Sequence, residues 1–356
     1  MTKRKLVSIQ KVIEITPIEN ADAIERITIE GWHLVSKKGE FKVGDLCVFH
    51  EIDCLLPITP DYEFLAKQGI KKSFVDGKEY NGYRLKTVKL RGTISQGLAL
   101  PLSILAGKKY PTDKRENPKY DFKEGDDVTS LLSVVKYEPA IPASLSGKVK
   151  GMFPSYLVKT DEPRIQSVLQ LLERYKNITF YCSEKVDGSS CTIFLKDGEL
   201  NVCSRNLNLL ETPENTFWKV AREIDIQAKL EKYNKPIALQ GELVGSNING
   251  NRLKIAKHKI LFFSIYNYEA GRYLDYADFI ETCKQLDIPT VPIIQEDYKL
   301  PKTVDELVAF ATRKSSIAES RAEGIVLRSL IEMHDADIGR LSFKVINPEY
   351  LLAYSE

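Results

Sequence analysis

No run of eighteen apolar residues occurs in the chain, which excludes a membrane-spanning helix. The basic start Met1-Thr2-Lys3-Arg4-Lys5 leads into alternating apolarity, and so does not read as a secretory leader. An excess of one charge is also missing: 51 Lys and Arg face 49 Asp and Glu, a formal net charge of +2. Any nucleic-acid surface must therefore be a local patch. The six cysteines (Cys47, Cys54, Cys182, Cys191, Cys203, Cys283) include no C-x-x-C pair, and several lie on strand-like runs where a reduced thiol packs as a small hydrophobe. That usage fits a reducing, intracellular, cytoplasmic setting. No internal repeat or low-complexity tract is present.

At 356 residues the chain is too long for one compact core, and two domains are expected, residues 1–130 and 131–356. The first reads as short strands: Leu6 to Ile15, Ile27 to Ile29, His33 to Ser36, Leu46 to Phe49, Tyr83 to Lys89 and Gly97 to Leu100. Gly31, Gly39, Gly44 and Gly92 punctuate them, and helical periodicity is scarce, which predicts a small, at least partly closed β-barrel of the OB-fold type. Lys86, Lys89 and Arg91 crowd the stretch Arg84 to Gly92 and are its candidate nucleic-acid contacts, although alternation makes them equally the polar side of a half-buried strand. Trp32 and Tyr83 are of the type that stacks on bases, yet a lone aromatic in a small barrel is more often core. His33 and His50 have no carboxylate or cysteine at ligand spacing and read as structural. From Ala106 to about Lys136 the composition predicts a loop or linker leading out of the barrel, and Val134 to Pro142 fits either side of the boundary.

The second domain mixes helical and strand patterns, so the class is α+β. Ile165, Val168, Leu169 and Leu172 recur at helical spacing, with Thr160 or Asp161 as the N-cap. Further helices are expected over Asn215 to Tyr233, over Tyr276 to Leu286, and from Thr303, whose hydroxyl and Glu306 form a capping-box pattern. Strands are expected around Lys185 and at Leu200 to Ser204, Ile237 to Leu243, Ile260 to Tyr266, Glu323 to Arg328 and Leu341 to Ile346.

The stretch Glu184-Lys185-Val186-Asp187-Gly188-Ser189-Ser190 puts a lysine at a tight junction between two strands. An unprotonated amine attacks phosphorus, burial beside other cations lowers a lysine's pKa, and Gly188 with the serines lets a ligand approach the backbone. Alone, Lys-x-Asp-Gly is most simply a surface hairpin with a solvated ion pair. Its company changes that reading, because Lys185, Asp187, Arg205, Glu242, Glu323 and Lys344 all fall at predicted strand ends. Such charges are costly among buried strands unless they face one pocket and pair, bind metal or hold phosphate. Cations that neutralise phosphates and carboxylates that hold a divalent metal, directly or through water, are the equipment of phosphoryl transfer.

The ordered segments Lys185-Val186-Asp187-Gly188, Ser204-Arg205-Asn206, Gln240-Gly241-Glu242, Phe262-Phe263-Ser264-Ile265-Tyr266-Asn267, Glu323-Gly324-Ile325-Val326-Leu327 and Phe343-Lys344-Val345-Ile346 resemble the motifs of the covalent nucleotidyltransferase superfamily of DNA ligases, RNA ligases and mRNA capping enzymes. The barrel comes first, Lys159-Thr160-Asp161-Glu162 and Arg164-Ile165-Gln166 precede the lysine, and Gly250-Asn251 follows the Glu242 motif. In that layout the whole chain is similar to the Naegleria/Deinococcus-type ATP-dependent RNA ligases.

This resemblance implies an OB-fold followed by a ligase-type adenylyltransferase domain of antiparallel sheets flanked by helices. It implies ATP, Mg2+ or Mn2+, and RNA repair by joining a 3′-OH end to a 5′-phosphate end through lysyl-AMP, at nicks in duplexes whose 3′-OH strand is RNA. The partner is then RNA or a nicked RNA-containing duplex, with no membrane and a monomeric enzyme. Lys185 would attack the α-phosphate, Asp187 and Glu323 would organise the metal through water, and Glu242 would bind the ribose or the metal shell. Arg205 would contact phosphate or the RNA 3′ end, and Lys344 would neutralise the α-phosphate in the transition state. Phe263 would stack on adenine, with Phe262 nearly as good a candidate, while Glu184, Val186, Arg164 and Gln166 would help to position nucleotide.

One position departs from the pattern. Many ligases carry two lysines separated by one residue in the last motif, and here the second is Ile346. Either one lysine suffices or a second cation, such as Lys254 or Lys257, arrives from elsewhere. The rival readings are a DNA ligase, a GTP-using capping enzyme, and a non-catalytic RNA-binding protein.

Overall fold

The structure, a computed structural model, describes residues 4–75, 77–116, 118–138 and 148–354. The chain falls into two compact units, Thr2–Ala140 and Ile141–Tyr354. The first three residues of the basic start, the last two of the chain, and residues 139–142 of the expected junction lie outside the described residues. No helix among those described is long and apolar enough to cross a membrane.

The first unit is built from β1 (Val7–Pro17), β2 (Ile24–Ile29), β3 (Trp32–Lys37), β4 (Leu46–His50), β5 (Cys54–Pro57), β6 (Lys71–Val75), β7 (Lys78–Arg84), β8 (Val88–Leu90), β9 (Thr93–Ser95), β10 (Leu98–Pro101) and β11 (Val135–Lys136). They form antiparallel sheets in the orders β10-β4-β1-β2-β3 and β11-β5-β7-β6, with β8-β9 as a separate hairpin. β1 serves two partners, pairing through residues 7–11 with β4 and through 12–17 with β2, and a bulge between Val12 and Glu14 bends it near the crossover. This is the curled sheet of the expected OB-fold. Val7, Ile9, Val48, Leu56 and Tyr83 fill its core, and Trp32 is buried beside Phe49, so neither candidate aromatic is displayed for bases.

Two expectations for this unit are corrected. The strand predicted over Tyr83 to Lys89 is broken: β7 stops at Arg84, and the hairpin β8-β9 turns through Arg91 and Gly92, both left-handed (φ 47° and 82°). The segment after Ala106 is a loop as expected, but it does not lead outward. Val128, Leu131, Leu132 and Val134 are buried in the barrel core, Ile9 N donates to Asp126 O at 2.9 Å, and β11 pairs with β5. Its few apolar residues, scattered among charges, are the ones that hold it down, and the division after Ala140 accordingly falls beyond the expected 130.

The second unit contains β12 (Val149–Met152), β13 (Thr179–Lys185), β14 (Ser189–Lys196), β15 (Glu199–Cys203), β16 (Leu207–Leu209), β17 (Ile237–Val244), β18 (Lys259–Asn267), β19 (Arg272–Tyr273), β20 (Ile293–Lys299), β21 (Gly324–Ser329), β22 (His334–Asp335), β23 (Gly339–Arg340) and β24 (Ser342–Ile346). Its helices are α1 (Gln170–Arg174), α2 (Thr216–Glu223), α3 (Ile226–Tyr233), α4 (Tyr276–Gln285), α5 (Val304–Ala311) and α6 (Pro348–Tyr354). One antiparallel sheet runs β12-β16-β15-β14-β17-β18-β19 and a second β20-β13-β21-β24, with β22-β23 as a small hairpin. Helices α2, α3 and α4 cover one face of the larger sheet over Leu239, Leu243 and Phe262; α1 and α5 cover one face of the smaller over Phe180, Leu327 and Phe343. The uncovered faces carry the polar side chains that matter below.

Local sequence explains where helices stop and fail. The expected helix Asn215 to Tyr233 is two helices, because Asp225 is left-handed (φ 49°) between them. Asn215 caps α2 by accepting from Phe217 N and Trp218 N, and the Thr303–Glu306 capping box on α5 is present. The helix expected to begin at Thr160 or Asp161 does not begin there. Pro163 disfavours helix in the residue before it, and the segment instead lies along β24, with Lys344 N donating to Pro163 O at 2.9 Å. A single turn, Ile165–Ser167, and the short α1 follow.

Candidate active site

Alternation along β13 sends Phe180 and Cys182 into the helix-covered core and leaves Tyr181, Ser183 and Lys185 on the other face. The pairing register sets Lys185, Gly324 and Ile346 in one row across three strands, and Ser183, Val326 and Lys344 in the next row on the same face. Lys185 and Lys344 therefore share the open face of the smaller sheet. The chain then crosses through Val186 to Gly188 into β14 of the larger sheet, where Ser190 pairs with Glu242 of β17. Gly188 is required at that crossing: a Cβ there would sit 2.3 Å from Leu243 O and 2.9 Å from Glu242 Cγ.

Lys185 Nζ lies 2.7 Å from Glu323 Oε2, and both side chains are largely buried. Burial alone lowers a lysine's pKa, but Glu323, Glu242 and Asp187 outweigh it and Lys185 is raised, not lowered as the sequence suggested. The cost falls on the acids. Burial pushes Glu242 up to about 8, against the pull of Lys185 and with a further push from Glu323 and Asp187. Burial also raises Glu323, offset in part by Lys185. Three acids crowd one ammonium closely enough that two of them are pushed toward their protonated forms, a strain that a divalent cation relieves. Among the described residues no three His, Cys, Asp or Glu side chains converge closely enough to hold a metal ion directly.

The lysine whose pKa does fall is Lys344. Burial, opposed by Asp161 and helped by Lys185 and Arg164, takes it down to about 8. Asp161 spans two candidate phosphate contacts, accepting from Arg205 Nη2 at 2.9 Å and from Lys344 Nζ at 3.3 Å. Arg164 is bridged to Lys344 along the backbone. Beside Arg205 and Asp161 opens a small cleft, lined also by Phe153, Lys159, Thr160, Ser190 and Thr192.

The two adjacent phenylalanines face opposite ways by strand alternation, and Phe263 is the extra residue of a bulge in β18, where Ser264 pairs with Gln240 and Phe262 with Gly241. Phe262 is wholly buried under the helices; Phe263 packs with Val186, Val244 and Val291 on the other side and is partly exposed. The Arg328 guanidinium lies 5.3 Å from the Phe263 ring centroid and is ion-paired with Glu162 at 2.6 Å. Gln166 is buried with no hydrogen-bond partner for its Oε1, and Gln240 Oε1 is in the same state. Glu184 is on the opposite face from Lys185. Its carboxylate accepts from Ser315 Oγ at 2.5 Å and Ser316 N at 2.6 Å, which secures the loop after α5 instead of lining the cleft.

Asp187 is nearly enclosed. Its Oδ1 accepts from Asn249 Nδ2 at 2.5 Å, and its Oδ2 from Tyr350 OH at 2.5 Å and Arg252 Nη1 at 3.5 Å. Of the cations after β17, Lys254 and Lys257 are exposed, and it is Arg252 that reaches the acids. Of the first-unit candidates, Lys89 and Arg91 are exposed on the β8-β9 hairpin, and Lys86 is half-buried ahead of it. Reading the sequence gave no site role to Arg328, Asn249, Arg252 and Tyr350, and beyond their place in the Lys159-Thr160-Asp161-Glu162 segment it gave none to Glu162 and only a capping role to Asp161. Arg328 had a signal: a charge at the end of a predicted apolar strand, the same signal that picked out Lys344.

A family model described as an OB-fold domain matches residues 6–102, and one described as RNA ligase matches residues 178–346. No curated protein sequence matches the chain. Solved structures do. A Naegleria gruberi RNA ligase lysine variant with ATP and manganese is 35% identical over 98% of each chain, with a TM-score of 0.84. The same organism's RNA ligase with pyrophosphate is 37% identical over 99% of each chain, with a TM-score of 0.84. An aspartate variant without ligand is 36% identical over 100% of this chain and 99% of that one, with a TM-score of 0.85. Both units, in the same order, are thus shared end to end, and the chain belongs to the RNA ligase family, in the branch whose OB-fold comes first.

Proposed function

We propose that this RNA ligase is ATP-dependent and seals a 3′-OH end to a 5′-phosphate end at nicks in duplexes whose 3′-OH strand is RNA. The observation that carries the reading is Lys185 Nζ held 2.7 Å from Glu323 Oε2, on the open face that also presents Lys344 and beside Glu242 of the facing strand. Structures of the similar Naegleria enzyme with ATP and manganese, with AMP and manganese, and with pyrophosphate supply the ligands proposed here.

Lys185 Nζ, after giving up a proton, attacks the α-phosphorus of ATP. A nitrogen–phosphorus bond forms, the bond to the bridging oxygen breaks, and pyrophosphate leaves. Glu323 Oε2 is the nearest acceptor for that proton. Lys344 and Arg164 neutralise charge on the α-phosphate, Phe263 stacks on adenine with Val186 beside it, and Gln166 Oε1 accepts from the base's amine. A 5′-phosphate oxygen then attacks the same phosphorus and frees the lysine, and finally the 3′-oxygen attacks the 5′-phosphorus and expels AMP. Arg205 contacts phosphate or the RNA 3′ end, and Lys86, Lys89 and Arg91 contact the duplex.

The acid surplus around Lys185 fits a divalent cation held through water by Asp187, Glu242 and Glu323. When bound, Mg2+ or Mn2+ neutralises charge on the reacting phosphates. The enzyme acts as a monomer in a reducing cytoplasm.

The decisive experiment is incubation with α-labelled ATP. Wild-type protein becomes labelled and Lys185→Ala does not; a labelled Lys185→Ala protein would remove this lysine as the attachment point. Nicks with RNA or DNA at the 3′-OH terminus then separate RNA from DNA ligation, and better labelling by GTP would favour a capping enzyme.

A further inference from the structure

The helix that follows the last strand reaches back to two of the acids around Lys185. Asn347, fully buried between β24 and α6, donates its backbone N–H to Glu323 O at 2.9 Å and its side-chain Nδ2 to Ala322 O at 3.0 Å. Its Oδ1 accepts from Glu349 N at 2.9 Å, which starts the helix. This one side chain therefore fixes where α6 begins relative to Glu323. One turn later Tyr350, itself buried, donates its hydroxyl to Asp187 Oδ2. Arg252 completes the cluster, with its guanidinium 5.9 Å from the Tyr350 ring centroid and 5.7 Å from that of Tyr354.

An aspartate two residues beyond a reacting lysine has several rotamers, and only some leave its charge facing the cleft. Three donors from two distant segments, Asn249 and Arg252 on one and Tyr350 on the other, restrict it to one. Hydrogen bonds to a carboxylate are stronger than neutral ones, and this side chain is only 7% exposed, so water competes poorly.

We infer that Tyr350 is a positioning residue for lysine adenylation. Its hydroxyl, with Asn249 and Arg252, fixes the Asp187 carboxylate beside Lys185, and α6 is thereby part of the active site. The inference rests on Lys185 being the adenylated lysine. It adds a residue that no motif of the second domain contains.

The test is Tyr350→Phe, which keeps the ring against Arg252 and Tyr354 and removes only the hydroxyl. In single-turnover labelling with α-labelled ATP, the maximal rate should fall about tenfold, with the ATP concentration for half-maximal rate within about twofold of wild type. The melting temperature of the nucleotide-free, metal-free protein should stay within a few degrees. Introduced into Asp187→Asn, the same change should slow labelling little further, because the group it acts through is already altered. Wild-type labelling by Tyr350→Phe, or the same fold loss in both backgrounds, overturns the inference. If Lys185→Ala still labels, the underlying reading fails instead, and the two outcomes are distinct.

Discussion

Asp161 holds Lys344 by a hydrogen bond of 3.3 Å while its other oxygen takes Arg205, so the two cations are bridged by one of the chain's own carboxylates. Asp161 is half-exposed, and among the groups around Lys344 it is the strongest that keeps the ammonium charged. Lys344 already sits near 8. Removing the Asp161 charge must lower it further, since an anion favours the protonated amine. In Asp161→Asn, the alkaline limb of the pH profile of adenylation should therefore move to lower pH. A profile of kcat/KM from pH 6 to 10 measures this, and a limb that stays put or moves upward would mean that Lys344 does not set it.

Gly188 is a second point of leverage. A methyl group there would press on the Leu243 carbonyl at 2.3 Å, and backbone cannot swing aside as a side-chain tip can. Gly188→Ala should therefore spread β14 from β17 locally at a cost of about 1–3 kcal/mol. Because Lys185 and Glu242 flank the strained crossing, labelling should fall by about a hundredfold, well beyond what the stability loss alone would cause. Urea unfolding together with single-turnover labelling tests both parts.

The features legible in the sequence are those that break a local pattern. Lys185, Glu242, Glu323 and Lys344 stood out as charges at the ends of apolar strands, and the pairing register does bring the two lysines to one face. The lower pKa expected of Lys185 failed because its neighbours are acids from other strands, which no stretch around residue 185 announces. Pro163 could have warned against a helix from Thr160, since the residue before a proline avoids helical geometry. Phe262 and Phe263 could not be ranked, because the bulge at Phe263 interrupts the alternation of their own strand and no local residue marks it. Tyr350 and Arg252 were invisible for a plainer reason. Tyr350 meets Asp187 across 163 residues of chain, and a tyrosine near the start of a short helix carries no local mark of that contact.

His50 supplies a prediction for the first unit. It is buried, with Nδ1 3.2 Å from Leu98 O and Nε2 3.0 Å from Tyr62 OH, an arrangement that suits a neutral ring donating from one nitrogen and accepting at the other. Burial lowers its pKa to about 4 from 6.5. The unfolded chain thus binds the proton more tightly, and this histidine's contribution to stability is lost as pH falls from 6.5 through 4, by about 3 kcal/mol at pH 4. Glu30, raised to about 7, titrates with the opposite sign over much of the same range, so the informative quantity is a difference. The stability of wild type minus that of His50→Gln should shrink by about 3 kcal/mol between pH 7 and pH 4. Trp32 fluorescence in a Trp218→Phe background reports the first unit alone, and a pH-independent difference would mean that the folded protein protonates the ring as readily as the unfolded chain does.

The ion pair between Glu162 and Arg328 has two consequences that separate by mutation. Arg328 is buried on the face that carries Lys344, and its guanidinium lies against the ring of Phe263. Glu162 is held below the usual carboxylate range because Arg328 and Lys344 together outweigh its burial, and Arg328 is raised in turn. Breaking a buried pair from one side strands a charge, so Arg328→Met should destabilise the second unit by about 3–5 kcal/mol. Neutralising both ends, in Glu162→Gln with Arg328→Met, should restore most of that loss, because no buried charge is left unpaired. Nucleotide binding should not recover with it. The double variant still lacks the cation behind Phe263, so its half-saturating ATP concentration should remain several-fold above wild type while its unfolding midpoint, read from Trp218, returns toward normal. Recovery of both together would reduce the pair to a purely structural role, whereas the split ties the buried ion pair to the ring on which adenine is proposed to stack.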